Sequence, residues 1–190
     1  MKIKYIIIAF AITALAQLAI PAQMVWENEQ AYTSGTEYKF KTQPIDPNDP
    51  FSGKYISLNF EADEVYVQDG DWGYGDMGYV VLGKDKDGFA KIDTLVHEKP
   101  DEGDFIKITA DYNYDDKVTV TYPFERFYME ESKAPEAELL HRDYISKNNK
   151  VPAYAIVAVK GEVAVVKDVI LDGMPIKEYV ETHSKNPDSR

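Results

Sequence analysis

A chain of 190 residues with no cysteine, 33 acidic against 21 basic residues and a formal charge of −12 has room for one domain beside an N-terminal segment. The missing thiols exclude disulfides, thiol nucleophiles, cysteine metal sites and lipid attachment through cysteine. The acidic balance argues against nucleic acid and anionic lipid headgroups as partners, since both need basic patches; its plain reading is solubility.

Residues 5–20 form an apolar run preceded by Lys2 and Lys4. Counted on to Trp26, the segment approaches the ~20 residues that a spanning helix needs. Lysines before it and Glu27 and Glu29 after it orient it with its N-terminus in the cytoplasm, and Trp26 suits an interfacial anchor. Residues 1–26 are therefore expected to be a transmembrane anchor. Residues 27–35 continue the helix as a stalk that Ser34-Gly35 ends. The rival is a cleaved signal peptide, with Ala14-Leu15-Ala16 or Ala22 as small-residue exit sites. Either places the following domain, residues 36–180, outside the cytoplasmic membrane.

Residues 36–41 alternate, with Tyr38 and Phe40 on one side, and predict the first strand. Pro44, Pro47 and Pro50 then forbid a helix, and Asp46 and Asp49 suit Asx-turns. Gly53 is expected at a bulge or a φ > 0 position opening a strand over 54–63. Tyr55, Ser57 and Asn59 lie on one face of it; Ile56, Leu58 and Phe60 lie on the other.

The stretch Gly53-Lys54-Tyr55-Ile56-Ser57-Leu58-Asn59-Phe60 resembles the signature of the GDYXXLXY family of bacterial membrane-anchored proteins. Gly53, Tyr55 and Leu58 match its fixed letters. Lys54 stands where the family has aspartate and Phe60 where it has tyrosine. Pro44-Ile45-Asp46-Pro47 is similar to the family's lead-in, and Arg126-Phe127-Tyr128-Met129-Glu130-Glu131 fits a later block, read as an aromatic pair and two acids opening a helix. The order of parts agrees over nearly the whole chain. The resemblance implies a retained anchor, an architecture and a location, and no chemistry. Lysine cannot replace a catalytic or metal-binding aspartate, which favours a structural role for position 54.

Residues 65–78 are glycine-rich and read as a loop. Its acids fail the EF-hand pattern, so no metal is assigned. Trp72 and Tyr74 on this loop are candidates for touching a partner or ligand; the alternative is that they cap one end of the core. Asp87-Gly88 between strands at 78–82 and 89–96 signals a hairpin. Strands follow at 105–110 and 118–122. A helix is predicted over 134–146, with Ser132 as N-cap, Pro135 and Glu136 in the first turn, and Leu139, Leu140 and Tyr144 facing the sheet. The near-continuous apolar strands 152–159 and 163–171 form a last hairpin covered on both faces. The tail, 181–190, is polar and expected to be mobile. About nine strands with short turns give a mainly β fold: an antiparallel β barrel or sandwich with one helix, preceded by the transmembrane helix.

No catalytic, cofactor or metal residue is assigned. Ser52, Ser57 and Lys54 offer a serine–lysine pairing that nothing fixes in space. His97, His141 and His183 have no metal-ligand spacing, and Glu130-Glu131 are adjacent and point apart. The expectation is a membrane-anchored extracytoplasmic interaction or accessory protein of the bacterial envelope, single-pass in the inner membrane, with an integral membrane partner. The alternative is an envelope hydrolase or a carbohydrate-binding module.

Overall fold

The computed structural model describes residues 2–43, 55–67, 72–114, 116–147 and 150–183. The expectations for the proline turn, Gly53, Lys54, the loop acids at 69 and 71 and the last residues of the tail lie outside them.

Helix α1 (Lys2–Ser34) runs through Pro21 as one element. Its stretch Ile3–Ser34 is long and apolar enough to cross a membrane, with a mean hydropathy of 2.1 in its most apolar window and none of that window buried. Isoleucines 6, 7 and 8, Phe10, Leu15 and Leu18 all stand exposed. The residues expected as anchor and stalk thus form one continuous helix.

The strands in chain order are β1 (Thr36–Gln43), β2 (Tyr55–Ser57), β3 (Asn59–Phe60), β4 (Glu64–Tyr66), β5 (Met77–Lys84), β6 (Ala90–Val96), β7 (Phe105–Tyr114), β8 (Lys117–Thr121), β9 (Arg126–Tyr128), β10 (Tyr154–Lys160), β11 (Val163–Leu171) and β12 (Met174–Pro175). Helix α2 (Ala134–Ser146) lies between β9 and β10, and α3 (Ile176–His183) follows β12. One sheet has the order β12-β11-β10-β1-β3, a second β4-β8-β7-β5-β6, and β2 pairs with β9. Neighbours within the sheets are antiparallel. A parallel bridge from Lys39 to Phe89 brings β6 back beside β1, and the result is nearly closed and barrel-like.

The interior is filled by aromatic rings. Phe40, Phe60, Tyr122 and Phe124 meet with centroids 5.1 to 5.8 Å apart, mostly edge to face, the geometry that ring quadrupoles favour. The Tyr122 hydroxyl donates to the Ala62 carbonyl, so its one polar atom is satisfied inside the core.

The end of α1 is clamped to the outer face of β10 and β11. Ala31 is fully buried there. Lys160 Nζ donates to Ser34 Oγ at 2.7 Å and to Gln30 Oε1 at 3.1 Å. Lys167 pairs with Glu37 at 2.7 Å and lies 5.0 Å over the Tyr32 ring. Gly35 permits the contact: a Cβ there would stand 2.5 Å from the Ala31 carbonyl oxygen and 2.9 Å from that of Val159. The last hairpin, expected to be covered on both faces, is buried over Ala155, 157–159 and 169–171 and half-buried over most of its other positions, with this helix covering part of it.

Four expectations need correction. The strand expected over 54–63 changes partners at Leu58, whose amide donates to the Glu125 carbonyl at 2.8 Å. Before that point β2 pairs with β9; after it β3 pairs with β1. The alternation itself holds, with Ile56, Leu58 and Phe60 buried. The block at Arg126 opens a strand, and α2 starts only at Ala134, with Lys133 in the N-cap position and no side-chain cap. The buried face of α2 is Ala134, Ala137, His141 and Tyr144, while Leu139 points to solvent. Finally α3 takes in residues 181–183, which the sequence reading left in the tail.

Candidate functional site

The two blocks that carry the family resemblance pair with each other. Tyr55 faces Tyr128, Ile56 faces Phe127 and Ser57 faces Arg126 across β2 and β9. With a side-chain period of two, Ile56 and Phe127 go to the core, where both are buried. The other set is turned outward. The Tyr55 and Tyr128 rings meet edge to face at 5.7 Å, and the Arg126 guanidinium stands 4.7 Å over the Tyr55 ring, a cation–π arrangement. Tyr128 is 65% exposed. This aromatic and cationic face is what the signature presents to the outside. Sequence reading missed it because Arg126-Phe127-Tyr128 is too short to declare itself a strand without its partner. Leu58 and Phe60 are core residues at 1% and 2% exposure, so their part in the signature is to pack the interior.

Helix α2 packs against β2. Its His141 is buried and hydrogen-bonds through Nε2 with Thr42 Oγ1 at 3.2 Å. Burial lowers its pKa to about 4, because the charged imidazolium would lose its water.

The structure separates Trp72 from Tyr74. Trp72 is 5% exposed: its ring stacks on His97 at 3.7 Å, with the two planes nearly parallel, and occupies the space beside Gly78. A Cβ on Gly78 would stand 2.4 Å from that ring. Trp72 therefore caps the core, the alternative that the sequence left open for it, rather than standing open on the loop. Tyr74 projects from the turn at 85% exposure. The turn is held by Gly73 N–H donating to Asp76 Oδ2 at 2.7 Å and Gly75 N–H donating to the Ala110 carbonyl at 2.8 Å. A shallow groove of about 550 Å³ runs past Trp72, Leu95, His97 and Lys99, where Lys99 pairs with Glu162 at 2.8 Å.

Among the described residues no three His, Asp or Glu side chains gather as metal ligands. His183 stacks on Tyr179 at 4.0 Å, far in sequence from the other two histidines. Ser57 faces Arg126, and Lys54 and Ser52 lie outside the described residues.

Neither the curated proteins nor the solved structures give a match to this chain. The model of the GDYXXLXY protein family matches residues 17–167, which takes in the end of the apolar helix, the signature strand, its β9 partner and most of the last hairpin. With the match covering most of its length, the chain belongs to the GDYXXLXY family.

Proposed function

We propose that this protein is a single-pass accessory subunit of an integral membrane protein, anchored by α1 in the bacterial inner membrane with its β domain on the extracytoplasmic side. The observation that carries the reading is the junction. The apolar rod passes without a break onto the barrel and is fixed there by the buried Ala31, the Gly35 contact and the Lys160 and Lys167 side chains. A swinging linker would suffice for a tethered enzyme meeting soluble substrate. A rigid mount holds one face of a globule in a set direction, which suits contact with something else fixed in the same membrane.

The exposed Tyr74 and the Tyr128–Arg126 face are the surfaces on offer. The test is photocrosslinking and native sizing of the full chain in washed membranes. Carbonate should leave the chain in the membrane, and gentle detergent should release it as one complex larger than the chain alone. Tyr74→Ala and Tyr128→Ala should change stability by no more than about 0.5 kcal/mol, as exposed substitutions do, yet weaken the complex. Trp72→Ala should instead lose ~3–5 kcal/mol of fold stability, as truncation of a buried aromatic does. A chain that runs alone in gentle detergent, while its soluble domain retains a glycan, would replace this reading with the carbohydrate-binding one.

A further inference from the structure

Gln17 sits near the middle of the apolar part of α1. Taking Tyr5 and Trp26 as its ends, Gln17 is about 18 Å from one and about 14 Å from the other at 1.5 Å per residue. Two groups on this residue lack a partner in the helix. Its carboxamide can donate two hydrogen bonds and accept others, yet makes none among the described residues. Its backbone carbonyl would ordinarily accept from the amide four residues on, and that residue is Pro21, which has no N–H. The other polar side chains nearby are satisfied locally: Thr13 Oγ1 donates to the Ala9 carbonyl at 3.0 Å and Gln23 Nε2 to Glu27 Oε1 at 2.7 Å. Water would meet the needs of Gln17; hydrocarbon cannot.

We infer that Gln17 is where α1 binds a transmembrane helix of a different integral membrane protein, one carrying a hydrogen-bond donor side chain at the same depth. This rests on the anchored reading above and says where its partner is held. Thr13 and Ala9 lie on the same face, one and two turns away, and are small enough for close approach.

Helix phase argues against a second copy as the occupant. Ala31, the residue buried against the barrel, follows Gln17 by fourteen positions, about 40° short of four full turns at 3.6 residues per turn. Gln17 therefore points to the side on which the barrel sits. In a two-fold pair joined through this face, each stalk would run into the other copy's barrel. A foreign helix that ends near the membrane surface, within about 21 Å above the level of Gln17, fits beneath it.

The test is photocrosslinking of the full chain in intact membranes, with a photoreactive phenylalanine analogue placed at Thr13 or, on the opposite face, at Leu15. Position 13 should give one product with a foreign polypeptide. Mass spectrometry should place the crosslinked peptide in a membrane segment holding a hydroxyl, amide or indole donor. The yield should fall roughly three- to thirtyfold in a Gln17→Leu background and return with Gln17→Asn. A product of two copies of this chain, equal yields from positions 13 and 15, or a yield indifferent to Gln17→Leu would overturn the inference. Release of the chain by carbonate would instead sink the anchored reading itself, so the two failures are distinguishable.

Discussion

Among the described residues no charged group offsets the burial of His141, and its pKa of about 4 lies well below the ordinary 6.5. Below pH 6.5 the unfolded chain takes up a proton that the folded chain refuses until about pH 4. Stability from this group is therefore whole above pH 6.5 and is lost as pH falls towards 4, by about 3 kcal/mol over the window at ~1.4 kcal/mol per pH unit. Burial raises the pKa of Asp63 and Asp168, and those groups act in the opposite sense, penalising the fold less as pH falls. The clean readout is the difference between urea unfolding of the wild type and of His141→Gln, which keeps a group to bond Thr42 but does not titrate. That difference should shrink by about 3 kcal/mol between pH 7 and pH 4. Tyr122 is a second residue-scale case. Phenylalanine there keeps the ring packing but strands the Ala62 carbonyl, and should lose ~1–3 kcal/mol in the same assay. Tyr38 is milder. Its hydroxyl donates to Asp104 at 2.9 Å at the rim, and burial followed by that acid pushes its pKa up to about 12.

At the scale of elements, the junction of α1 with the barrel separates packing from surface pairing. Gly35→Ala drives a methyl into two backbone carbonyls that cannot yield. It should lose ~1–3 kcal/mol and speed hydrogen exchange across residues 30–36. Lys160→Met removes exposed hydrogen bonds to Gln30 and Ser34 and should lose under about 1 kcal/mol. Equal effects from the two substitutions would mean that the helix is held by its polar contacts, contrary to the burial of Ala31. The same contrast explains what could be read from the chain. The alternation of residues 55–60 was plain, because one face must be apolar wherever it meets the core. The change of partner at Leu58 was not, since it depends on β1 and β9, about seventeen and seventy residues away in register. Helix α2 was legible from Pro135 and its apolar spacing. Its buried face was misread because Leu139 outranks Ala137 in hydrophobicity yet lies on the wrong side of the turn. Helix α3 escaped because it is only eight residues long; its apolar residues Ile176, Tyr179 and Val180 do fall at helical spacing, but two turns are too few to stand out beside a polar tail. Trp72 looked exposed because glycines surround it; the stack on His97 is a contact across a gap that sequence spacing does not report.

For the whole molecule, the long apolar helix, the mainly antiparallel β character and the final hairpin followed from composition and pattern, while the count rose from about nine strands to twelve because short pieces such as β3, β4, β9 and β12 declare themselves only through their partners. The pairing of the two signature blocks likewise emerged only in three dimensions. The signature letters then divide by role: Leu58 and Phe60 hold the interior, and Tyr55 stands under Arg126 on the outside. Substituting Leu58 should unfold the domain. Arg126→Ala should leave the melting transition nearly in place and alter only what the outer face recognises, a split that thermal melts alongside the crosslinking assay would show.

The unbroken stalk also sets a ceiling. From the level of Trp26 to Ser34 the helix climbs about 12 Å, and its seat on β10 and β11 leaves no slack to pay out. If the apolar half is seated in a bilayer as proposed, the domain is held close to the lipid surface like a lamp on a short post, and only what comes within that short radius can touch it.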